Sequence, residues 1–320
     1  MTDDAPITLR TATEADLPGC AEIHRTALDD YLVPLGVDLG PRDPARMVHL
    51  FAHLRATDPG RFLVAERAGE SVGFTSATVR GGSWFLAMLF VLPSEQGRGL
   101  GTRLLEAVLP GPDERAPDGE RLSLAVAADS VQPISNALYA RYGMIPRLPV
   151  FQLDGRVERP EAFGELPAGI VATPFASIDD APSGPDGRRP GADATTVVDL
   201  ELLGYLHPQD HRWLASERRG WAFTDATGAP VGYGYLRDDG RISPVAALEP
   251  GLLPAIFGHI VRAGARPDGR YSTFAPGAAG DLFAACLAAG MRIDGTPTLL
   301  GWDRPVADFS RYVPIGLAVL

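Results

Sequence analysis

Leu89-Phe90-Val91-Leu92-Pro93-Ser94-Glu95-Gln96-Gly97-Arg98-Gly99-Leu100-Gly101-Thr102-Arg103-Leu104-Leu105 is the stretch whose reading decides the fold. The apolar run from Trp84 to Leu92 reads as a strand that stops at Pro93. A turn with Gly97, Gly99 and Gly101 follows, and Thr102 is expected to open an amphipathic helix running to about Leu109. Leu104, Leu105 and Val108 form its buried face. Strand, glycine turn and helix start together aim several backbone N–H groups at one point. Those groups lack helical partners and carry partial positive charge, so a pyrophosphate suits them. A Walker loop is excluded because no Lys precedes Thr102. A Rossmann fingerprint is excluded because the three glycines fall at every second position. Gln-x-x-Gly-x-Gly after a strand remains.

Outward from this stretch the elements alternate. Ile7 to Arg10 is a strand, and Thr13 with Asp16 reads as a capping box opening a helix to about Leu28. A second helix is expected over roughly Asp43 to Ala56. Strands follow at Phe62 to Glu66 and Ser71 to Arg80. Beyond the glycine motif, Leu122 to Val126 is a strand and Val131 to Tyr142 a helix closed by Gly143. Pro149 to Leu153 is a last strand. The order is β-α-α-β-β-β-α-β-α-β.

Composition excludes several classes. The chain has 320 residues, enough for two domains. A net charge of −11 argues against a nucleic-acid grip. That acidity mildly favours a cationic substrate, while acidic surfaces also serve plain solubility. No apolar run approaches the roughly 20 residues of a membrane span, and the acidic start MTDDAPITLR is not a signal peptide. Cys20 and Cys286 are the only cysteines, so a reducing cytoplasm is expected. The sequence contains no Lys, so all 29 basic residues are Arg. With abundant Ala, Gly and Pro, this points to a GC-rich bacterial genome. His49/His53 and His207/His211 each have i, i+4 spacing, but no third ligand is visible in the sequence, so no metal is expected.

The glycine turn resembles the pyrophosphate loop of the GNAT superfamily of N-acetyltransferases. Asn136-Ala137-Leu138-Tyr139-Ala140-Arg141-Tyr142-Gly143-Met144 resembles that family's second signature, Asn-x-x-Tyr-x-x-x-Gly-Phe, with Met144 in place of Phe. The resemblance covers about residues 6 to 153. It implies acetyl-CoA as co-substrate and an amine of a small molecule or peptide as acceptor. It places the diphosphate on Gln96, Gly97, Arg98, Gly99, Leu100, Gly101 and Thr102. It places the pantetheine and thioester on the backbone of Leu89, Phe90 and Val91. Tyr139 is the implied acid for the departing thiolate, and Asn136 lies one turn before it on the same face. Tyr142 reads as packing. The family's usual strand carboxylate has no counterpart, since Phe85 to Leu92 contains no acid. Glu22, Asp29, Asp30 or a water chain remain candidates for the base. A CoA-responsive module without turnover is the alternative reading.

The second half repeats the first. FLVAERAGESVGF from Phe62 aligns without gaps to WAFTDATGAPVGY from Trp221, and Leu287 to Met291 echoes Ala140 to Met144. The chemistry is absent there: Ser243 to Leu252 keeps one glycine, and Cys286 stands where Tyr139 would recur. Trp213, Trp221 and Trp302 read as core or interface residues. Pro182 to Ala194 reads as a loop. The expected fold class is α/β with a mixed α+β sheet, as two tandem GNAT-like folds. Residues 1–155 form the acetyltransferase domain, 156–168 a linker, and 169–320 a degenerate copy with a structural role. No nucleic acid or membrane partner is expected, and monomer and homodimer both remain open.

Overall fold

The computed structural model describes residues 5–37, 44–180 and 187–320. The first half contains β1 (Ile7–Thr11), α1 (Leu17–Leu32), α2 (Pro44–Thr57), β2 (Phe62–Arg67), β3 (Glu70–Arg80) and β4 (Ser83–Val91). It continues with α3 (Leu100–Glu106), β5 (Ser123–Asp129), α4 (Pro133–Ala140) and β6 (Ile145–Arg156). The second half contains β7 (Val171–Phe175), α5 (Pro190–Leu202), α6 (Pro208–Glu217), β8 (Arg218–Thr224), β9 (Pro230–Arg237) and β10 (Ile242–Ala247). It ends with α7 (Leu252–Ala263), β11 (Arg270–Pro276), α8 (Gly280–Ala289), β12 (Arg292–Trp302) and β13 (Tyr312–Val313). This is the mixed α/β architecture that the element order suggests. The expected start of the second helix at Asp43 lies outside the described residues, as do residues 182–186 of the expected loop.

Contacts divide the chain into two compact units. The first comprises residues 1–79 and 83–124, the second 80–82 and 125–320. In the first unit the strands lie in the order β1-β2-β3-β4. One face of this sheet carries an aromatic cluster of Phe51, Phe62, Phe74 and Phe90, with ring centroids 5.2 to 5.9 Å apart. Ala65, Val72 and Val91 pack instead with Leu100 and Leu104 of α3, with Leu89 against them. Leu104 is fully buried, so removing its side chain should cost about 2–5 kcal/mol. The Thr13 capping box forms: Asp16 accepts from the Thr13 backbone N–H and hydroxyl, both at 2.7 Å. Arg10 grips the same carboxylate at 2.7 Å.

In the second unit one group of strands runs β5-β12-β6-β11 and another β13-β10-β9-β8-β7. β12 therefore lies between β5 and β6: Leu300 faces Ala127 on one side and Leu148 on the other. β6 in turn pairs with β11 from Val150 to Arg156. Gly301 makes the close approach possible, because a Cβ there would stand 2.8 Å from the Met144 carbonyl oxygen. The segment read as a linker contains a helical turn, Pro160–Phe163, whose Phe163 is 2% exposed and packs on Phe257. The loop reading of Pro182 to Ala194 is corrected at its end, because α5 begins at Pro190. Proline at the first helical position satisfies the fixed φ there and sacrifices an N–H that has no partner anyway. Trp221 belongs to the buried core of this unit.

Candidate active site

In the first unit the chain leaves β4 at Val91 and turns through Pro93–Glu95 before α3. α3 starts at Leu100, two residues before the expected Thr102, because Gly99 is its N-cap in the left-handed conformation. It also ends at Glu106, short of Leu109. Gly97 and Gly99 have φ of +75° and +79°, a region that side chains with a Cβ avoid. Gly101, by contrast, lies within α3. The glycine requirement therefore falls on the first two positions of the motif rather than the last.

Arg103 is the first residue of α3 whose N–H returns to the loop, at 3.1 Å from the Gly99 carbonyl. The backbone N–H groups of Gly97, Gly99, Leu100, Gly101 and Thr102 donate to no described residue. Gln96, Gly97, Arg98 and Gly99 are exposed, and a Cβ added at Gly97 or Gly99 would meet nothing within 4 Å. An open row of backbone donors around two left-handed glycines is suited to phosphate oxygens. Gln96 already has one partner within the chain. Its side-chain amide donates to the Val91 carbonyl at 3.0 Å, tying the loop to the end of β4. Glu95 is buried and paired with Arg67 at 2.8 Å, which anchors the same turn from below.

Along β4, Leu89 and Val91 pack with α3, while the Phe90 ring stacks on Phe74 at 5.7 Å. The ring of His24 on α1 lies 4.6 Å from that of Phe90, edge to face. His24 stands in no sequence motif, and only the packing of α1 on β4 brings it here. The candidate carboxylates are engaged elsewhere: Arg25 pairs with Glu22 and, at 2.8 Å, with Asp29. Asp30 is exposed.

In the second unit α4 carries Asn136 and Tyr139. Tyr139 is buried, and burial pushes its phenol up to about 12, with Ser135 one turn earlier opposing the shift. Such a phenol stays protonated at working pH. It can donate a hydrogen bond to a thiolate, but full proton transfer to a thiol of pKa about 8.5 is uphill. Asn136 is more constrained than expected, since its amide donates to the carbonyls of Asp129 and Gln132, both at 2.8 Å. Only its oxygen remains for a ligand. Gly143 closes the helix at φ +89°, with Met144 N–H returning to the Tyr139 carbonyl at 3.2 Å. Cys286 occupies the matching place on α8; it is fully buried, and burial pushes its thiol up to about 12.

The histidine pairs differ. His49 and His53 lie on α2, and no metal-ligating group of three forms around them among the described residues. His207 and His211 converge with Asp199 inside the second unit.

Residues 21–144 match the family model described as Acetyltransferase (GNAT) family. Among curated proteins, a mycothiol acetyltransferase of Saccharopolyspora erythraea is 28% identical over 174 residues. That match takes in 51% of this chain and 57% of the relative, so the chain spans a little over half the length of the curated relative it matches. Among solved structures, a putative acetyltransferase from Pyrococcus horikoshii superposes with a TM-score of 0.70 at 16% identity. That superposition covers 98% of this chain and 95% of the other. A tandem GNAT protein from the clavulanic acid biosynthesis pathway superposes with a TM-score of 0.53 at 18% identity, covering 94% and 99%. At such identities the likeness is one of fold, and it extends over both halves.

Proposed function

We infer that this chain is an acyl-CoA-dependent N-acetyltransferase, proceeding from the family to which its residues 21–144 belong, the GNAT acetyltransferases. The donor is acetyl-CoA and the acceptor an amine. The mycothiol acetyltransferase relative favours a small-molecule acceptor over a peptide. The observation that carries this reading is the open row of backbone N–H groups around Gly97 and Gly99. Residues 1–155 and 169–320 are taken as two copies of one fold, with the cofactor chemistry in the first. Two free, buried cysteines suit a cytoplasmic protein.

In the proposed reaction the loop amides of Gly97 to Thr102 hold the diphosphate, with Arg98 adding charge. The backbone of Leu89 to Val91 binds the pantetheine as an added strand does and polarises the thioester carbonyl. The neutral amine attacks the carbonyl carbon, the C–S bond breaks, and sulfur leaves with the electron pair. Tyr139 stabilises that thiolate by hydrogen bonding. His24 takes the amine proton, since Arg25 occupies Glu22 and Asp29.

Calorimetry with acetyl-CoA, followed by thiol release with a panel of amines, tests the reading. Micromolar binding and sustained release are expected. Binding without release for any amine would leave a CoA-responsive module without turnover, and no binding would remove both readings. His24→Ala should lower kcat about 100-fold at unchanged acetyl-CoA affinity. An unchanged kcat would remove His24 from the mechanism.

A further inference from the structure

Asp199 on α5 and the pair His207 and His211, at the start of α6, bring one ligand atom each to within 4.8 Å of one another. Both imidazoles turn Nε2 toward the same oxygen. Asp199 Oδ2 lies 2.8 Å from His211 Nε2 and 3.2 Å from His207 Nε2. All three side chains are buried, and His207 Nε2 makes no hydrogen bond despite that approach.

The other polar atom of each residue is already held. His207 Nδ1 lies 3.3 Å from Asp210 Oδ2, and Arg80 grips Asp210 through Nε at 2.6 Å and Nη2 at 3.0 Å. His211 Nδ1 meets the Tyr235 hydroxyl at 2.9 Å. The Tyr233 hydroxyl donates to Asp199 Oδ1 at 2.6 Å. Metal-binding histidines have this outer arrangement: a carboxylate or hydroxyl on the far nitrogen sets the tautomer and frees the near one.

We propose that Asp199 Oδ2, His207 Nε2 and His211 Nε2 bind one divalent transition metal, with zinc as the ion. Two imidazoles and a carboxylate are zinc donors at about 2.0–2.2 Å. The Tyr312 hydroxyl, buried and without a hydrogen-bond partner among the described residues, lies in the field of Asp199 and Asp210 and is available to a fourth ligand. Full burial makes the site structural. It fastens α5 and α6 to β9 and, through Asp210, to Arg80 of the same unit. The competing occupant is a proton, which would make His207 an imidazolium between two carboxylates.

Elemental analysis of the untagged chain, purified without chelator, tests the proposal. About one zinc per chain is expected, falling to near zero in His211→Gln. Because that variant can fail for want of folding, the wild-type chain is also refolded in chelator and titrated with metal. Zinc is expected to raise Tm by ~5 °C or more, and cobalt to develop visible d–d absorption. A metal-free chain whose Tm neither zinc nor cobalt moves, and which gains no cobalt spectrum, overturns the proposal and assigns the buried cation to a proton on His207.

Discussion

The two crossovers from strand to helix, β4 to α3 and β10 to α7, begin alike and end differently. Each strand is pinned by the same bond: Leu92 N–H donates to Val72 O at 2.9 Å, and Leu248 N–H to Val231 O at 2.8 Å. A glycine lies beside each strand, Gly73 under Leu104 and Gly232 under Ile256. The first crossover then spends seven residues, 93–99, before its helix, and the second only three, 249–251. In the short version Gly251 is right-handed at φ −67°, and the N–H groups of Leu252 and Leu253 turn back to Glu249 and Pro250 at 3.0 and 3.2 Å. The first two N–H groups of that helix are thus taken up within the turn. In the long version Gly97 and Gly99 reverse their φ, and the donors stay open. One fold thus leaves backbone donors open or turns them back on the loop according to four residues of loop.

The helices after them repeat the lesson. Gly143 and Gly290 both close with positive φ, and Met144 and Met291 return to Tyr139 and Cys286 at 3.2 and 3.0 Å. The cap is retained while Tyr139 gives way to Cys286. Backbone geometry and chemistry have been kept or lost independently.

The sharpest way to break this contrast is Gly99→Glu, which adds left-handed strain and a negative charge at the proposed diphosphate. Acetyl-CoA affinity should fall at least ~100-fold, about 3 kcal/mol. Gly251→Ala should leave it unchanged by calorimetry; equal losses would erase the distinction between the crossovers. Tyr139→Phe should lower kcat about 100-fold with little change in cofactor affinity. The phenol, pushed up to about 12, stays a donor below that pH. Wild-type kcat should accordingly show no alkaline fall from Tyr139 up to pH ~10, and an alkaline limb abolished by the Phe variant would refute its role. The smallest effect separates the two packing glycines. A Cβ at Gly232 would lie 2.6 Å from Ala246 O and from Ile256 Cδ1, against 3.0 Å from Phe90 O at Gly73. Gly232→Ala should cost about 1–3 kcal/mol in urea unfolding and Gly73→Ala less; the reverse order would mean that the first copy is the more tightly packed.

Features decided within a few residues were legible from the sequence. The Thr13–Asp16 cap, the glycine motif and the Ala68–Gly69 turn repeated at Gly228 all depend on local φ and local hydrogen bonds. The start of α3 was misplaced at Thr102 because Gly99, with no side chain to mark it, serves as N-cap. The pairing of Gln96 with Val91 O depends on how the loop folds back, which no local signal records.

The sequence by itself determined the repeated fold, the glycine loop after β4 and its shorter counterpart after β10, because alternation, glycine placement and loop length are written along the chain. Only the tertiary structure decided that β12 enters between β5 and β6, and that Asp199 completes a ligand set with His207 and His211. The first depends on pairing partners 138 to 177 residues apart. The second depends on how one helix turns back upon the next, and residue spacing carries no record of either.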